Sequence, residues 1–192
     1  MSNLITKPTE LSLKILEEYV SEGDSVVDAT AGNGHDTLAL AKLVGLNGTV
    51  YAFDIQESAL CATKKLLEEE GVSDRCKLIL GSHHQMAEYI PDQKQGKISA
   101  VVFNLGYLPK GDKEKTTRTG TTLPAIEQAL ELIRPGGLVA VTMYGGHAEG
   151  AEEKEELLLF SKNLPSKEYH VAYVALLNQK KQPPELLLIT KK

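Results

Sequence analysis

The chain has 192 residues, of which 42% are hydrophobic, and a formal net charge of −5 at pH 7. This length provides for one ordinary domain with a full hydrophobic core and is too short for two, so residues 1–192 are expected to form a single domain. The negative charge excludes a surface that is basic everywhere. Any contact with a nucleic acid must therefore be local.

The sequence contains no pattern that would direct the chain to a membrane or to an oxidising compartment. The N-terminal MSNLITKPTE lacks an apolar leader core, and no apolar run approaches the roughly 18 residues of a membrane span. Cys61 and Cys76 form no CxxC pair and are expected to be core thiols. We therefore expect a soluble, cytoplasmic protein that has no membrane contact and no metal site.

Strand-like and helix-like segments alternate along the chain. Residues 26–30 are apolar and β-branched, and Gly45 and Gly71 follow the first two helical segments after them. The predicted elements are, in order, a helix at about 9–20, a strand at 26–30, a helix at 36–44, a strand at 49–55, a helix at 58–70, strands at 76–80 and 98–104, a helix at about 122–133, a strand at 138–144, a helix at 151–161, and strands at 169–177 and 185–190.

The last two strands break this alternation. Only residues 178–184 separate them, which is too short for a crossover helix, so they are expected to pair antiparallel. The earlier strands are nearly continuous apolar runs, which is typical of a parallel sheet covered on both faces. The prediction is an α/β fold with a mostly parallel seven-stranded sheet, helices on both faces and an antiparallel C-terminal hairpin.

The segment VVDATAGNGHDT, residues 26–37, joins the first predicted strand to the helix that follows it. In sheets of this kind ligands bind beyond the carboxyl ends of the strands, next to strand one. Gly32 and Gly34 allow a tight turn and the approach of a ligand without an intervening Cβ. Asp54 ends the second strand, twenty residues after Gly34, where a carboxylate can accept both hydroxyls of a ribose. A nucleotide-like ligand is expected.

Asp28, four residues before Gly32, discriminates between ligands of this type. A dinucleotide fingerprint has a third small residue three positions after its second glycine, and this chain has Thr37 there. Asp28 would repel a pyrophosphate and suits a ligand with an ammonium group. S-adenosylmethionine (SAM) has an ammonium, a sulfonium and a ribose, and no phosphate. An NAD-dependent or other nucleotide-binding protein without methyl transfer stays open as an alternative.

Several segments together resemble a known family. The pattern D-x-T-x-G-x-G, from Asp28 to Gly34, resembles the first motif of class I SAM-dependent methyltransferases, with Thr30 where a glycine is usual. The alternating elements resemble the Rossmann-like sheet of that class over almost the whole chain. More narrowly, the chain resembles small bacterial methyltransferases once labelled rRNA methylases, and the segments that carry this are VVDATAGNGHDT, AFDIQ, GSHHQM, FNLGYLP and TRTGTTLPAIEQAL.

The narrower resemblance implies an N-methyltransferase that uses SAM and acts on the aminomethyl group of 5-aminomethyl-2-thiouridine at the wobble position of tRNA. A SAM-dependent methyltransferase for rRNA or for a small molecule is the alternative. The sequence leaves the oligomeric state open, and a homodimer is compatible with it.

The resemblance also implies a set of cofactor-binding residues. Asp28 would hold the ammonium of SAM and Asp54 its ribose, while the competing interpretation is helix-turn capping and a solvated strand end. Gln56 would reach the ribose or the adenine. The residues expected at the cofactor are Asp28, Thr30, Gly32, Asn33, Gly34, His35, Asp36, Thr37, Asp54, Gln56, Ser82, His83 and Asn104.

The fourth predicted strand ends in NLGYLP, opposite the expected position of the methyl group. Asn104 to Tyr107 resembles the N-P-P-Y element of amino-methylating enzymes, with Leu105 and Gly106 in place of the two prolines. The side-chain carbonyl of Asn104 and the main-chain carbonyl of Leu105 can accept N–H bonds from an amine and aim its lone pair along the S–CH₃ axis. Tyr107 is expected over the acceptor base or near the sulfonium, or else packed on the core.

An acceptor amine must lose a proton, because an alkyl amine with a pKa of about 10 is mostly protonated at neutral pH. The candidates for the group that removes this proton are His147, with Tyr144 beside it, and His35 and His84.

Residues 107–122 carry four basic and two acidic side chains, so this loop could contact phosphates of an anticodon loop. The residues expected at the substrate are Tyr107, Lys110, Arg118, Thr119, Gly120 and Tyr144.

Overall fold

The computed structural model describes residues 4, 7–105, 119–145, 148–179 and 183–192. The helices are α1 (Pro8–Leu16), α2 (His35–Val44), α3 (Glu57–Glu69), α4 (Met86–Tyr89), α5 (Thr119–Leu132) and α6 (Ala148–Lys162). The strands are β1 (Ser25–Asp28), β2 (Thr49–Asp54), β3 (Cys76–Leu80), β4 (Ile98–Leu105), β5 (Ile133–Met143), β6 (Tyr169–Val174) and β7 (Glu185–Lys191).

The strands form one seven-stranded sheet in the order β3-β2-β1-β4-β5-β7-β6. The first five strands pair parallel to one another, and β7 pairs antiparallel with both β5 and β6. The predicted parallel sheet with an antiparallel C-terminal hairpin is therefore confirmed. The strand order reverses between β1 and β4, so the carboxyl ends of these two strands flank the crevice where ligands bind in such sheets.

Both faces of the sheet are covered by helices. Successive strand residues point to opposite faces, and accordingly Val26 and Val27 of β1 belong to two different hydrophobic clusters. The cluster with Val26 includes buried residues of α1, α2 and α3. The cluster with Val27 includes buried residues of α4, α5 and α6. The sheet is thus the middle of three layers, and its rigid strands fix the positions of the loops at their carboxyl ends.

Local differences from the sequence-based elements have identifiable causes. The predicted gap between a helix at 122–133 and a strand at 138–144 is absent, because α5 ends at Leu132 and β5 begins at Ile133. Ile133 pairs with Ile98, and the register then shifts before Leu138 pairs with Ala100, so the Pro-Gly-Gly segment is a bulge inside the strand. Cys61 is exposed and Cys76 is only partly buried, so the expectation of core thiols was wrong for Cys61.

Short helical segments between β3 and β4 were not predicted. They comprise α4 and the 3₁₀ turns His83–Gln85 and Asp92–Lys94. A single turn is too short to show an apolar repeat in the sequence. Among the described residues, no helix combines the length and the apolar character that crossing a membrane requires.

Gly34 is a position in the first loop where a side chain is poorly tolerated. Its φ is +83°, and a Cβ added there would lie 2.9 Å from the Cα of Thr63 in α3. Gly34→Ala is therefore expected to lower the free energy of unfolding by about 3 kcal/mol, through the left-handed backbone and the overlap with α3. Urea denaturation of the purified variant measures this loss.

Gly71→Ala is the matched control for this substitution. Gly71 has a φ of +68°, but no atom lies within 4 Å of an added Cβ. The backbone cost alone should therefore appear, at about 1 kcal/mol. Equal losses for the two variants would show that contact between the glycine turn and α3 does not constrain the loop.

Candidate active site

Four polar side chains meet at the carboxyl edge of the sheet. Asp28 ends β1, Asp54 ends β2, and Asn104 is the penultimate residue of β4. Asp36 lies in the first turn of α2, directly after the glycine loop. Because β1 lies between β2 and β4 in the sheet, these side chains surround a single loop.

The glycine turn is held from two sides. The Gly32 N–H donates to Oδ2 of Asp54 at 2.9 Å, and the other oxygen of Asp54 accepts the N–H of Gln56 at 2.8 Å. The Thr63 hydroxyl in α3 donates to the Gly32 carbonyl at 3.0 Å. Asp54 therefore links the end of β2 to the turn, which keeps the loop backbone in one conformation beside the carboxylate.

Asp28 lies beneath the turn and is completely buried. It accepts hydrogen bonds from the Thr30 N–H at 3.1 Å and from the Thr37 hydroxyl at 2.6 Å. Burial, together with the charges of Asp36 and Asp54, raises the pKa of Asp28 to about 7. Both bonds agree with the alternative role of Asp28, in which it caps the turn before α2. Its contact with the ammonium group of a ligand stays a prediction.

Asn104 is fixed to the same loop by its backbone and by its side chain. Its N–H donates to the Thr30 hydroxyl at 2.7 Å, and its side-chain Nδ2 donates to Oδ2 of Asp36 at 2.6 Å. The side-chain Oδ1 is buried and has no hydrogen-bond partner among the described residues. Thr30, which occupies the usual glycine position of the motif, thus connects the first loop to the end of β4.

The site contains three carboxyl groups, and burial raises the pKa of Asp28 and Asp36 and so favours their neutral forms until a cation binds beside them. None of the ion pairs among the described residues includes Asp28, Asp36 or Asp54. These carboxylates repel an anionic phosphate and attract a cation, so they fit the ammonium and sulfonium groups of SAM. The described residues include no group of three or more side chains suited to a metal ion.

Ser82 follows β3 and precedes the 3₁₀ turn that begins at His83. The Ser82 hydroxyl lies 2.7 Å from Nδ1 of His84. His83 is buried, and its ring packs edge-on against Phe103 with 5.9 Å between the ring centroids. Burial lowers the pKa of His83 to about 4, so its imidazole is neutral at physiological pH. Adenine contacts for Ser82 and His83 remain predictions.

The structure brings other predicted residues to the same edge. Tyr144 follows β5 and is 37% exposed, and burial and the charge of Asp36 raise its pKa. Asn33 on the loop and His35 at the start of α2 are exposed, and Leu105 is buried at the end of β4. Thr119 and Gly120 begin α5. The predicted site residues that lie outside the described ranges are Tyr107, Lys110, Arg118 and His147.

Two residues that support the site were missed by sequence reasoning. Thr63 in α3 holds the glycine turn, and Gln128 in α5 donates to the His84 carbonyl and accepts the Ala87 N–H at 3.1 Å. Thr63 and Gln128 are each at least 31 residues away in the chain from the residues that they bond. No local motif signals such contacts, because they depend on how helices pack on the sheet.

Solved structures of two similar proteins share this architecture. One from Clostridium thermocellum, described as a "putative rRNA-methylase", is 43% identical, with a TM-score of 0.92 over 96% of this chain and 97% of that chain. A "putative methyltransferase" from Streptococcus mutans, solved in complex with SAH, is 37% identical, with a TM-score of 0.86 over 97% of this chain and 98% of that chain. The fold and the acidic glycine turn define a class I SAM-dependent methyltransferase.

The family is equally well defined. The family described as "Putative rRNA methylase" matches residues 50–190. A chloroplast protein of Arabidopsis thaliana, named tRNA (mnm(5)s(2)U34)-methyltransferase, is 38% identical over 185 residues, which cover 92% of this chain and 67% of that protein. The chain belongs to the rRNA methylase family, and SAM is its methyl donor. The resemblance inferred from the sequence is confirmed.

The raised pKa of Asp28 predicts that cofactor binding depends on pH. In the free protein this buried carboxyl has a pKa of about 7, and a cation bound nearby favours its ionised form. SAM binding should therefore release protons, and affinity should rise about five- to tenfold between pH 6 and pH 7.5. Calorimetry in two buffers of different protonation enthalpy measures both effects.

The Asp28→Asn variant is the control, since it cannot release this proton and should bind SAM with an affinity that varies much less with pH. An affinity that does not change with pH in the native protein, with no proton release, would contradict a link between Asp28 and the cofactor.

The raised pKa of Asp28 also predicts how the stability of the free protein depends on pH. Its contribution to the free energy of unfolding should fall as pH rises from about 4 to about 7.

Proposed function

We propose that the protein transfers the methyl group of SAM to the aminomethyl nitrogen of 5-aminomethyl-2-thiouridine at the wobble position of tRNA. The observation that carries this proposal is the buried Oδ1 of Asn104, which has no partner among the described residues while Nδ2 of the same amide is held by Asp36. A buried acceptor oxygen without a partner is satisfied when an N–H donor reaches it, and an amine provides such a donor. The name of the Arabidopsis relative supports the same substrate.

The cofactor contacts follow the predicted residues. SAM supplies an electrophilic methyl group on a sulfonium. Asp54 accepts the ribose hydroxyls while it continues to hold Gly32, and the Gly32 to Gly34 backbone lies against the methionine part. The buried charge of Asp28 favours the ammonium across the turn. These assignments are supported by the carboxyl groups that meet at this edge of the sheet and by the hydrogen bonds that hold the turn.

The acceptor side uses the end of β4. Oδ1 of Asn104 and the carbonyl of Leu105 accept the two N–H bonds of the neutral amine, so that its lone pair points toward the methyl group. The candidates for removing the proton that the ammonium form must lose before transfer are His147, with Tyr144 beside it, and His35 and His84. We assign the tRNA anticodon loop to Tyr107, Lys110, Arg118, Thr119 and Gly120, on the charge and sequence pattern of this segment.

Methyl transfer to rRNA is the second candidate, since the family description names rRNA. Purified protein is incubated with isotope-labelled SAM and, separately, with tRNA, rRNA and small metabolites from cells that lack the protein. Label is expected in tRNA, and nucleoside mass spectrometry should show one methyl group added to the aminomethyl nucleoside. A tRNA that lacks the aminomethyl group is the matched control and should take up no label.

The result that would overturn the proposal is equally specific. Label found in rRNA alone, or in a metabolite alone, would reject tRNA as the substrate. Label on tRNA at a nucleoside other than the aminomethyl uridine would reject the acceptor nitrogen while retaining tRNA.

A further inference from the structure

We infer that Asp36 is a positioning residue for methyl transfer, because it fixes the Asn104 amide with its oxygen, and not its nitrogen, toward the acceptor amine. The inference deepens the proposed function and rests on it for the chemical nature of the acceptor. It gives a role on the acceptor side to a side chain that sequence reasoning assigned to the cofactor.

The contact is specific in direction. A carboxylate can only accept, so the 2.6 Å bond between Asp36 Oδ2 and Asn104 requires the amide to present Nδ2 to Asp36. The opposite end of the amide, Oδ1, then has one orientation. It lies buried with no partner among the described residues. A buried oxygen without a partner is unfavourable, and an N–H donor at that place removes the penalty.

The backbone of Asn104 is fixed independently. Its N–H donates to the Thr30 hydroxyl at 2.7 Å, so the first loop holds Asn104 at two points, through Thr30 and through Asp36. The same loop contains the glycine turn that is expected to seat the methyl donor. Segment 28–37 therefore contacts both the expected position of the methyl donor and Asn104, so that two hydrogen bonds link the donor side to the end of β4.

The negative charge of an ionised Asp36 also supports its role as a positioning residue. During transfer the amine lone pair forms the N–C bond, the methyl–sulfur bond breaks and its electron pair stays on sulfur. The nitrogen gains the positive charge and afterwards loses a proton to water. A carboxylate hydrogen-bonded to the far end of the amide polarises Oδ1 toward that developing charge. An uncharged partner at position 36 would provide less of this effect.

Exchange of the two side chains tests the inference. Asn104→Asp alone places two carboxylates together and should lower kcat at least about 100-fold, and Asp36→Asn alone, which no longer dictates the direction of the amide, should lower it about 10- to 100-fold. The double variant Asp36→Asn with Asn104→Asp restores one N–H to carboxylate bond in the reverse arrangement. Its kcat should exceed that of Asn104→Asp by about tenfold or more.

Controls separate positioning from folding. At saturating SAM and acceptor, the loss of kcat in Asp36→Asn should exceed any rise in the dissociation constant of SAM, to which the charge of Asp36 also contributes. Asp74→Asn, which removes an exposed carboxylate before β3, should retain the native kcat. Wild-type kcat in Asp36→Asn, or a double variant no faster than Asn104→Asp, would overturn the inference.

A second readout does not require the substrate. In the free protein, one Nδ2 proton of Asn104 should give an NMR signal shifted by its bond to the carboxylate, and the shift should disappear in Asp36→Asn. Rates are measured on whichever molecule accepts label in the transfer experiment. If that molecule is not tRNA, the proposed function fails, while the rate comparison and the NMR signal still decide the role of Asp36.

Discussion

Asn104→Ala is expected to lower kcat for methyl transfer about 100- to 1000-fold while the dissociation constant of SAM changes less than about threefold. The substitution removes Oδ1, the buried oxygen that has no partner among the described residues. Without this acceptor the amine is neither oriented nor stabilised as positive charge develops on nitrogen. The backbone N–H of Asn104, which Thr30 holds, is retained.

Single-turnover kinetics with labelled SAM measure the transfer step directly, and calorimetry measures cofactor affinity. Asn163→Ala is the matched control, because Asn163 is an exposed asparagine directly after α6 whose side chain donates to the Leu159 carbonyl in that helix. It should have the native kcat. Full activity in Asn104→Ala would remove Asn104 from the mechanism.

Asp54→Ala should have the second large effect, this time on cofactor affinity. The dissociation constant of SAM is expected to rise about 100-fold, because charge-assisted hydrogen bonds to the ribose are lost and the tether to Gly32 is lost with them. At saturating SAM the decrease in kcat should be much smaller. Calorimetry and initial-rate kinetics over a range of SAM concentrations separate the two effects.

Two further variants serve as comparisons for Asp54→Ala. Asp54→Asn keeps one acceptor oxygen and should have an intermediate affinity. Asp74→Ala removes the same charge from an exposed position at the opposite edge of the sheet and should bind SAM like the native protein. A dissociation constant for Asp54→Ala within threefold of the native value would show that the end of β2 does not hold the ribose.

Much of the fold could be predicted from local patterns. The alternation of apolar strands with amphipathic helices, and the short connection before β7, are properties of neighbouring residues and were read correctly. The bulge in β5 was not predicted, because Pro135 and two glycines read as a loop in isolation. Only pairing of Ile133 with Ile98 across the sheet makes that segment part of a strand.

The candidate site divides in a similar way. Asp28, Gly32, Gly34 and Asp54 could be selected from the sequence, because turn chemistry and spacing along the chain carry the signal. The burial of His83 could not be predicted from such local signals. Its ring packs against Phe103 beneath the loop, and that contact depends on how the segment after β3 returns to the sheet.

By itself, the sequence determined the class of sheet, the position of the glycine turn and the acidic character of the crevice, because each follows from residues close together in the chain. Only the tertiary structure decided which way the Asn104 amide faces. Its partner Asp36 is 68 residues away, and the two meet because β4 pairs beside β1. A hydrogen bond of this kind depends on a distance in space that no local pattern encodes.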